Sequence, residues 1–160
     1  MNPRIYESGQ VARYHCNPRM SLFRQTNADH QWGCVILILQ LHPDPSINLI
    51  RAAATHDCGE IDAGDLSHPV KRSNPEHAAA HDALEAEKAE AMGVPRPQLT
   101  NEEARWLKLA DRLESFLYMK MYGTLHQWSL SQIQELLDRA SELGVTDQVC
   151  TLMELEEVDA

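Results

Sequence analysis

Apolar positions recur along this chain with the three-to-four-residue spacing of helices, and no segment alternates convincingly as a strand would. His30, Cys34, Leu37, Ile38 and Leu41 share one stripe and predict a helix over about 27–41, which Pro43 and Pro45 end. Ser46 is placed to cap a second helix running through Asp57, with Leu49, Ala53 and His56 on one stripe and Ile50 and Asp57 flanking it. Residues 58–75 hold Gly59, Gly64, Pro69 and Pro75 and read as an irregular polar loop. An alanine- and glutamate-rich helix follows to about Met92, stopped by Gly93 and Pro95. Thr100 and Glu103 form a capping box for a helix reaching about Tyr122.

Ser129 and Gln132 open a further helix with Leu130, Ile133, Leu137 and Ala140 on its inner face, closed by Gly144. A last short helix is expected over Thr146–Leu155. Residues 1–26 show no clean period and read as a short helix or coil followed by a loop. The pattern therefore predicts about six helices, no repeat and no linker: one compact all-α domain over residues 1–160.

Composition leaves this picture unchanged and narrows the environment. At 43% hydrophobic and 24% charged residues, the 160-residue chain is that of a folded globular protein with a core of its own. Its longest apolar run, Cys34–Leu39, is far short of the ~20 residues a membrane span needs. The polar start MNPRIYESGQ lacks a signal-peptide hydrophobic region, so a cytoplasmic address is expected. Cys16, Cys34, Cys58 and Cys150 are scattered without a CxxC, which suits reduced thiols better than a disulfide framework.

A net charge of −10 argues against a nucleic-acid partner. The charge is unevenly placed. Residues 1–24 carry four arginines against Glu7, a net +3, while residues 126–160 carry eight acids against Arg139, a net −7. A bound anion therefore belongs near the amino-terminal segment or another local basic cluster.

His30, the pair His56–Asp57, and Asp111 each fall on a predicted apolar stripe, Asp111 at helical spacing with Ala104, Leu107 and Tyr118. A lone buried histidine is more often a satisfied core residue than a ligand. A buried carboxylate, however, is expensive unless paired or holding a metal. Two imidazoles and two carboxylates suit one divalent transition-metal ion and leave positions open for water and substrate.

The order H…HD…D, with ADHQWG at 28–33, HDCGEIDAGDLSHPVKR at 56–72 and LKLADRLES at 107–115, resembles the HD-domain phosphohydrolase superfamily. The chain is similar there to the small HD proteins that include bacterial 5′-deoxynucleotidases and phage-encoded dATP triphosphohydrolases, over about residues 11–122. The resemblance implies an all-helical fold, a mononuclear site for Zn, Co or Mn on His30, His56, Asp57 and Asp111, and Glu60 as the acid that orients or deprotonates the attacking water. It implies contact of Asp65 with the sugar or nearby phosphate, and of Lys71 with phosphate.

The expected reaction is hydrolysis of a deoxynucleotide at the phosphorus beside the 5′ oxygen. Triphosphate release from a dNTP, of the phage type, is slightly favoured over phosphate release from a dNMP. A non-catalytic nucleotide-binding regulator is the alternative from another class. Where related enzymes carry an arginine and a tryptophan before Pro18, this chain reads His15-Cys16-Asn17-Pro18. Arg13, Arg19 or Arg24 is thus expected to replace the arginine, with Arg19 and Asn17 assigned to substrate. His68, His77 and His81 occupy the interval where some HD proteins hold a second metal, but the surrounding helix suits a solvated face. Relatives form dimers or rings, so a homo-oligomer is expected, with the C-terminal amphipathic helices as its contact.

Overall fold

The computed structural model describes residues 2–20 and 22–154, and the side chain of His68 also lies outside the description. In chain order the helices are α1 (Arg4–Ser8), α2 (Asn27–Leu41), α3 (Ile47–Thr55), α4 (Glu60–Ala63), α5 (His68–Ser73), α6 (Pro75–Ala91), α7 (Asn101–Met121), α8 (Leu130–Glu142) and α9 (Thr146–Met153), with a 3-10 turn at Leu125–Gln127. The protein is all-α. Among the described residues extended pairing is limited to one isolated antiparallel bridge, Ala12 with Thr26. Leu155, the expected end of the last helix, lies outside the described residues.

Three short helices, α1, α4 and α5, fall in stretches without a readable period. Helices of four to six residues are shorter than the window over which an apolar stripe can declare itself. The long helices begin where their caps stand. The Thr100 hydroxyl accepts from the Glu103 N–H at 3.1 Å while the Glu103 carboxylate accepts from the Thr100 N–H at 2.7 Å. Ser129 and Gln132 repeat this arrangement on α8, and Thr26 with Asp29 on α2. Each cap satisfies donors that have no partner inside the helix, a contribution of about 1 kcal/mol.

The centre of the molecule is the contact of α2 with α7, with α3 packed against both. Cys34, Ile38 and Leu41 of α2 meet Leu109, Leu113 and Phe116 of α7, with Leu49 and Ala53 of α3 closing the cluster. Burying each leucine-sized side chain stabilises the fold by about 1.5–3 kcal/mol. Helices α8 and α9 pack on α7 and on each other through Leu136, Ala140, Val149 and Met153. Leu130, expected on the inner face of α8, is instead exposed, and Leu136 takes the buried position. Helices α4 and α5 lie on α6, and α1 touches α4.

Two glycines permit close approaches between elements. A Cβ at Gly33 of α2 would stand 2.7 Å from the Glu114 side chain of α7, and one at Gly59 would stand 2.0 Å from the Glu85 carbonyl oxygen of α6. Gly33 lets α7 bring Glu114 against α2, and Gly59 lets the turn after α3 lie on α6.

Candidate metal centre

Helix α3 ends at Thr55, two residues before the sequence pattern suggested, with His56 as its C-cap and Asp57 in the following turn. The departure from helix brings the neighbouring His56 and Asp57 side chains to the same point. His56 Nε2 is 3.2 Å from His30 Nε2 and 3.5 Å from Asp57 Oδ1. His30 Nε2 is also 3.7 Å from Asp57 Oδ2 and 3.4 Å from Asp111 Oδ1. The four residues come from α2, the end of α3 and α7, and meet around the fully buried His30 ring.

The hydrogen bonds behind the two rings assign their tautomers. His56 Nδ1 donates to the Ala53 carbonyl at 3.0 Å, and His30 Nδ1 donates to the Glu114 carboxylate. In its neutral form each ring turns an Nε2 lone pair toward the other, the form that binding a cation requires. A backbone carbonyl or carboxylate behind a histidine is the usual support of a metal ligand. His30 Nε2 thus has a second imidazole nitrogen and two carboxylate oxygens at 3.2–3.7 Å. At ligand distances of about 2.1 Å, adjacent donors of a tetrahedral ion stand about 3.4 Å apart. The donor set fits a divalent transition metal in chemistry and spacing.

Cys34 lies one turn after His30, its Sγ 3.6 Å from His30 Nε2. His30, Cys34 and His56 all present ligand-type atoms within 4.8 Å of one another, a buried group able to hold a metal ion. Burial pushes the Cys34 thiol up, which favours its protonated form, and it packs beneath the His30 ring. Burial and Arg13 both oppose charge on His30, yet Asp111, Cys34 and Glu114 together hold its pKa well above the usual histidine range. Burial likewise opposes charge on Asp111, but Lys108 and the two histidines keep it well below the ordinary carboxylate range.

The spacing of α7 predicted Asp111 on the inward stripe with Ala104, Leu107 and Tyr118. The core stripe is instead Trp106, Leu109, Ala110, Leu113 and Phe116, and Ala104 is exposed. Asp111 lies on the adjacent face with Leu107 and Ser115, on the wall of a cavity of about 700 Å³. A long helix can face the core along one side and a cavity along the next. Glu114, three residues on, is the supporting acid that sequence reasoning missed. Its signal was an i, i+3 spacing from Asp111 on a helix otherwise apolar at that face. Gln25 Nε2 donates to its other oxygen at 2.6 Å.

Glu60, the first residue of α4, is buried at the cavity wall, and Asn27 Nδ2 donates to its Oε2 at 2.8 Å. Burial and the nearby Asp57 charge push its carboxyl up to about 8. Asn27 had no distinguishing signal in the sequence. The same amide is 3.2 Å from the Asp57 carbonyl, so it ties the start of α2 to the turn carrying both acids. Gln31 is satisfied with its oxygen toward the Asp57 N–H at 3.2 Å and its nitrogen toward the Ala54 carbonyl at 3.0 Å.

Of the three arginines expected to stand in for the missing one, Arg13 lines the cavity. Its Nη1 donates to Asp57 Oδ2 at 2.5 Å. The backbone decides this: Arg13 N–H donates to the Gln25 carbonyl at 2.9 Å, which pins the segment beside the start of α2. Arg19 is exposed and is not part of the cavity wall; its N–H donates to Asn17 Oδ1 at 3.1 Å. Of the two, Arg13 is the arginine placed at the cavity. Asn17 does line the cavity, as do Asp65 and Lys71.

Lys71 Nζ lies 3.3 Å from Asp82 and 3.6 Å from Glu85, while Arg96 approaches Glu85 at 3.7 Å. His77 is exposed, as a solvated helix face requires. His81 departs from that expectation: its side chain is only 11% exposed, with Nδ1 2.9 Å from Glu85 Oε1. His81, Asp82 and Glu85 form a second group with metal-ligand atoms. Lys71 and Arg96 approach its acids, as Arg13 and Lys108 approach Asp57 and Asp111 in the first cluster.

Comparison with protein-family models, with curated proteins and with solved structures gives no match. What the fold and the site define is an all-helical protein with a buried, histidine-centred cluster able to hold a metal ion. Among the described residues no helix is long and apolar enough to cross a membrane.

Proposed function

We propose that this protein is a metal-dependent phosphohydrolase of deoxynucleotides, with a dNTP triphosphohydrolase reaction slightly favoured over removal of phosphate from a dNMP. The observation that carries the reading is the approach of His56, Asp57 and Asp111 to the buried His30 Nε2 at 3.2–3.7 Å, beside a large cavity whose wall these three share with Glu60, Arg13 and Lys71. Those four residues would hold one Zn, Co or Mn ion. When bound, such an ion lowers the pKa of a coordinated water from 15.7 toward about 7 and polarises a phosphoryl oxygen.

The chain's own groups do the rest. Asn27 holds one Glu60 oxygen and leaves the other to accept a proton from the attacking water. The Glu60 carboxyl, raised to about 8 without a cation, ionises more readily once positive charge sits among its neighbours. Arg13 and Lys71 supply positive charge where the phosphoryl oxygens gather it. The water oxygen forms the new bond to phosphorus, the bond from phosphorus to the 5′ oxygen breaks, and the departing 5′ oxygen takes a proton. A volume of about 700 Å³ lies within the range of small-molecule sites and admits a nucleoside with its phosphates.

The test is incubation of the protein with dNTPs and dNMPs plus Mn²⁺, Co²⁺ or Zn²⁺, with separation of the products. Triphosphate release supports the favoured reaction, and activity confined to monophosphates supports the second. Absence of hydrolysis with every ion, or persistence of turnover in Asp57→Ala, overturns the proposal. Metal analysis should give one tightly bound ion per chain, lost in Asp57→Ala; two ions would overturn the mononuclear assignment.

A further inference from the structure

The cavity continues from the histidine cluster to α5, α6 and the segment joining α6 to α7, where Lys71, Glu85 and Arg96 line its wall. The Glu85 side chain is only 6% exposed, and its two oxygens gather two cations. Lys71 Nζ stands 3.6 Å from Oε1, and Arg96 Nη2 stands 3.7 Å from Oε2. A carboxylate buried to this degree needs such charge beside it. The trio adjoins the cluster: Lys71 feels the Glu60 charge, and Glu85 feels that of Asp57.

Glu85 draws both cations to one place without using up their donors. Charge-assisted hydrogen bonds run at about 2.7–2.9 Å, and both separations are longer. Among the described residues the Lys71 ammonium donates to Asp82 Oδ1 at 3.3 Å, and the Arg96 guanidinium makes no hydrogen bond. The two side chains are 32% and 48% exposed on the cavity wall, open to an entering ligand. Pro95 and Pro97 flank Arg96 and restrict the backbone on both sides of it. A segment stiffened in this way gives up little freedom on taking a ligand.

We infer that Arg96, with Lys71, forms the subsite for the phosphoryl groups beyond the one attacked, so that the cavity takes a nucleoside triphosphate. The inference rests on the proposed nucleotide hydrolysis and names the substrate class within it. A monophosphate carries one phosphoryl group, which the reaction places at the cluster beside Glu60, and it leaves Arg96 without a partner. A triphosphate carries two more, whose oxygens accept the short hydrogen bonds that Glu85 does not. The planar guanidinium holds two phosphate oxygens at once, and the lysine adds a point charge. Arg96 stands outside the three segments that carry the family resemblance, so sequence reasoning had no means of finding it.

Calorimetric titration of the metal-free protein and of its Arg96→Gln variant with the deoxynucleoside mono-, di- and triphosphates of each base tests this. Affinity in the unaltered protein should rise with each added phosphate. Arg96→Gln should bind the triphosphate about tenfold more weakly, while the monophosphate changes by less than about twofold. Arg96 lies outside every helix with its side chain half exposed, so the substitution leaves the fold intact. Equal losses for mono- and triphosphate, or no loss for the triphosphate, overturn the subsite while the nucleotide reading stands. Failure of every deoxynucleotide to bind, with or without added Zn²⁺, overturns both.

Discussion

Arg13 Nη1 donates to Asp57 Oδ2 at 2.5 Å, joining the segment before α2 to the turn that ends α3. Both side chains are 15% exposed. Burial opposes their charges, but the Asp57 charge keeps Arg13 raised, while His56 and Arg13 keep Asp57 lowered. Removing the guanidinium leaves a largely buried carboxylate without its main partner. Arg13→Ala should lower stability by about 2–3 kcal/mol, read as a fall in the midpoint of urea unfolding. An unchanged midpoint would mean that solvent already compensates Asp57.

The Glu114 carboxylate orients His30 from behind, and Glu114→Gln keeps the shape while removing the charge. Metal affinity should fall about 10–100-fold with the far-ultraviolet circular dichroism unchanged. Gly33→Ala should act at the same place by steric means, since its Cβ would press on the Glu114 side chain at 2.7 Å. A stability loss of about 1–3 kcal/mol is expected from that overpacking. Metal affinity equal to that of the unaltered protein in both variants would refute the positioning role of Glu114.

Glu60 gives a pH dependence whose sign can be worked out. Burial beside Asp57 raises its folded-state pKa to about 8 from the ordinary glutamate value of 4.5. Between those values the folded protein holds a proton that the unfolded chain releases. The contribution of Glu60 to stability is therefore fully present below 4.5 and is lost as pH rises through about 8. Carbon-13 NMR of the side-chain carboxyls in the metal-free protein, assigned with Glu60→Gln, should show a midpoint near 8. Added metal should move it down. A midpoint in the ordinary carboxylate range would show that water reaches Glu60 freely.

On the outer face of α2, Trp32, Ile36 and Leu39 are 68%, 42% and 55% exposed, an apolar stripe opposite the one that enters the core. The expected homo-oligomer can be tested at this stripe. Sedimentation velocity should give a species larger than one chain that Trp32→Glu shifts toward the monomer. A monomer at every concentration, or an oligomer indifferent to Trp32→Glu, would remove α2 from the interface.

The helical class, the long helices and their caps are legible in the sequence because they depend on neighbours three and four residues apart. Thr100 with Glu103 and Ser129 with Gln132 are local chemistry that needs no tertiary partner. His30, His56, Asp57, Glu60 and Asp111 were nameable for a different reason: their residue types and spacing follow a recognisable pattern. The approach of His56, Asp57 and Asp111 to within 3.2–3.7 Å of His30 was a matter of packing.

Tertiary structure alone decided what stands behind and beside those residues. Glu114 reaches His30 because Gly33 lets α7 close on α2, and Asn27 at the start of α2 reaches Glu60 at the start of α4. Arg13 is distinguished from Arg19 only by a backbone pairing with Gln25. Trp128 comes to the cavity from the far end of α7. Hydrophobic spacing records which face of a helix is buried, but carries no information on which distant side chain meets it there. Those meetings are set by how the helices cross.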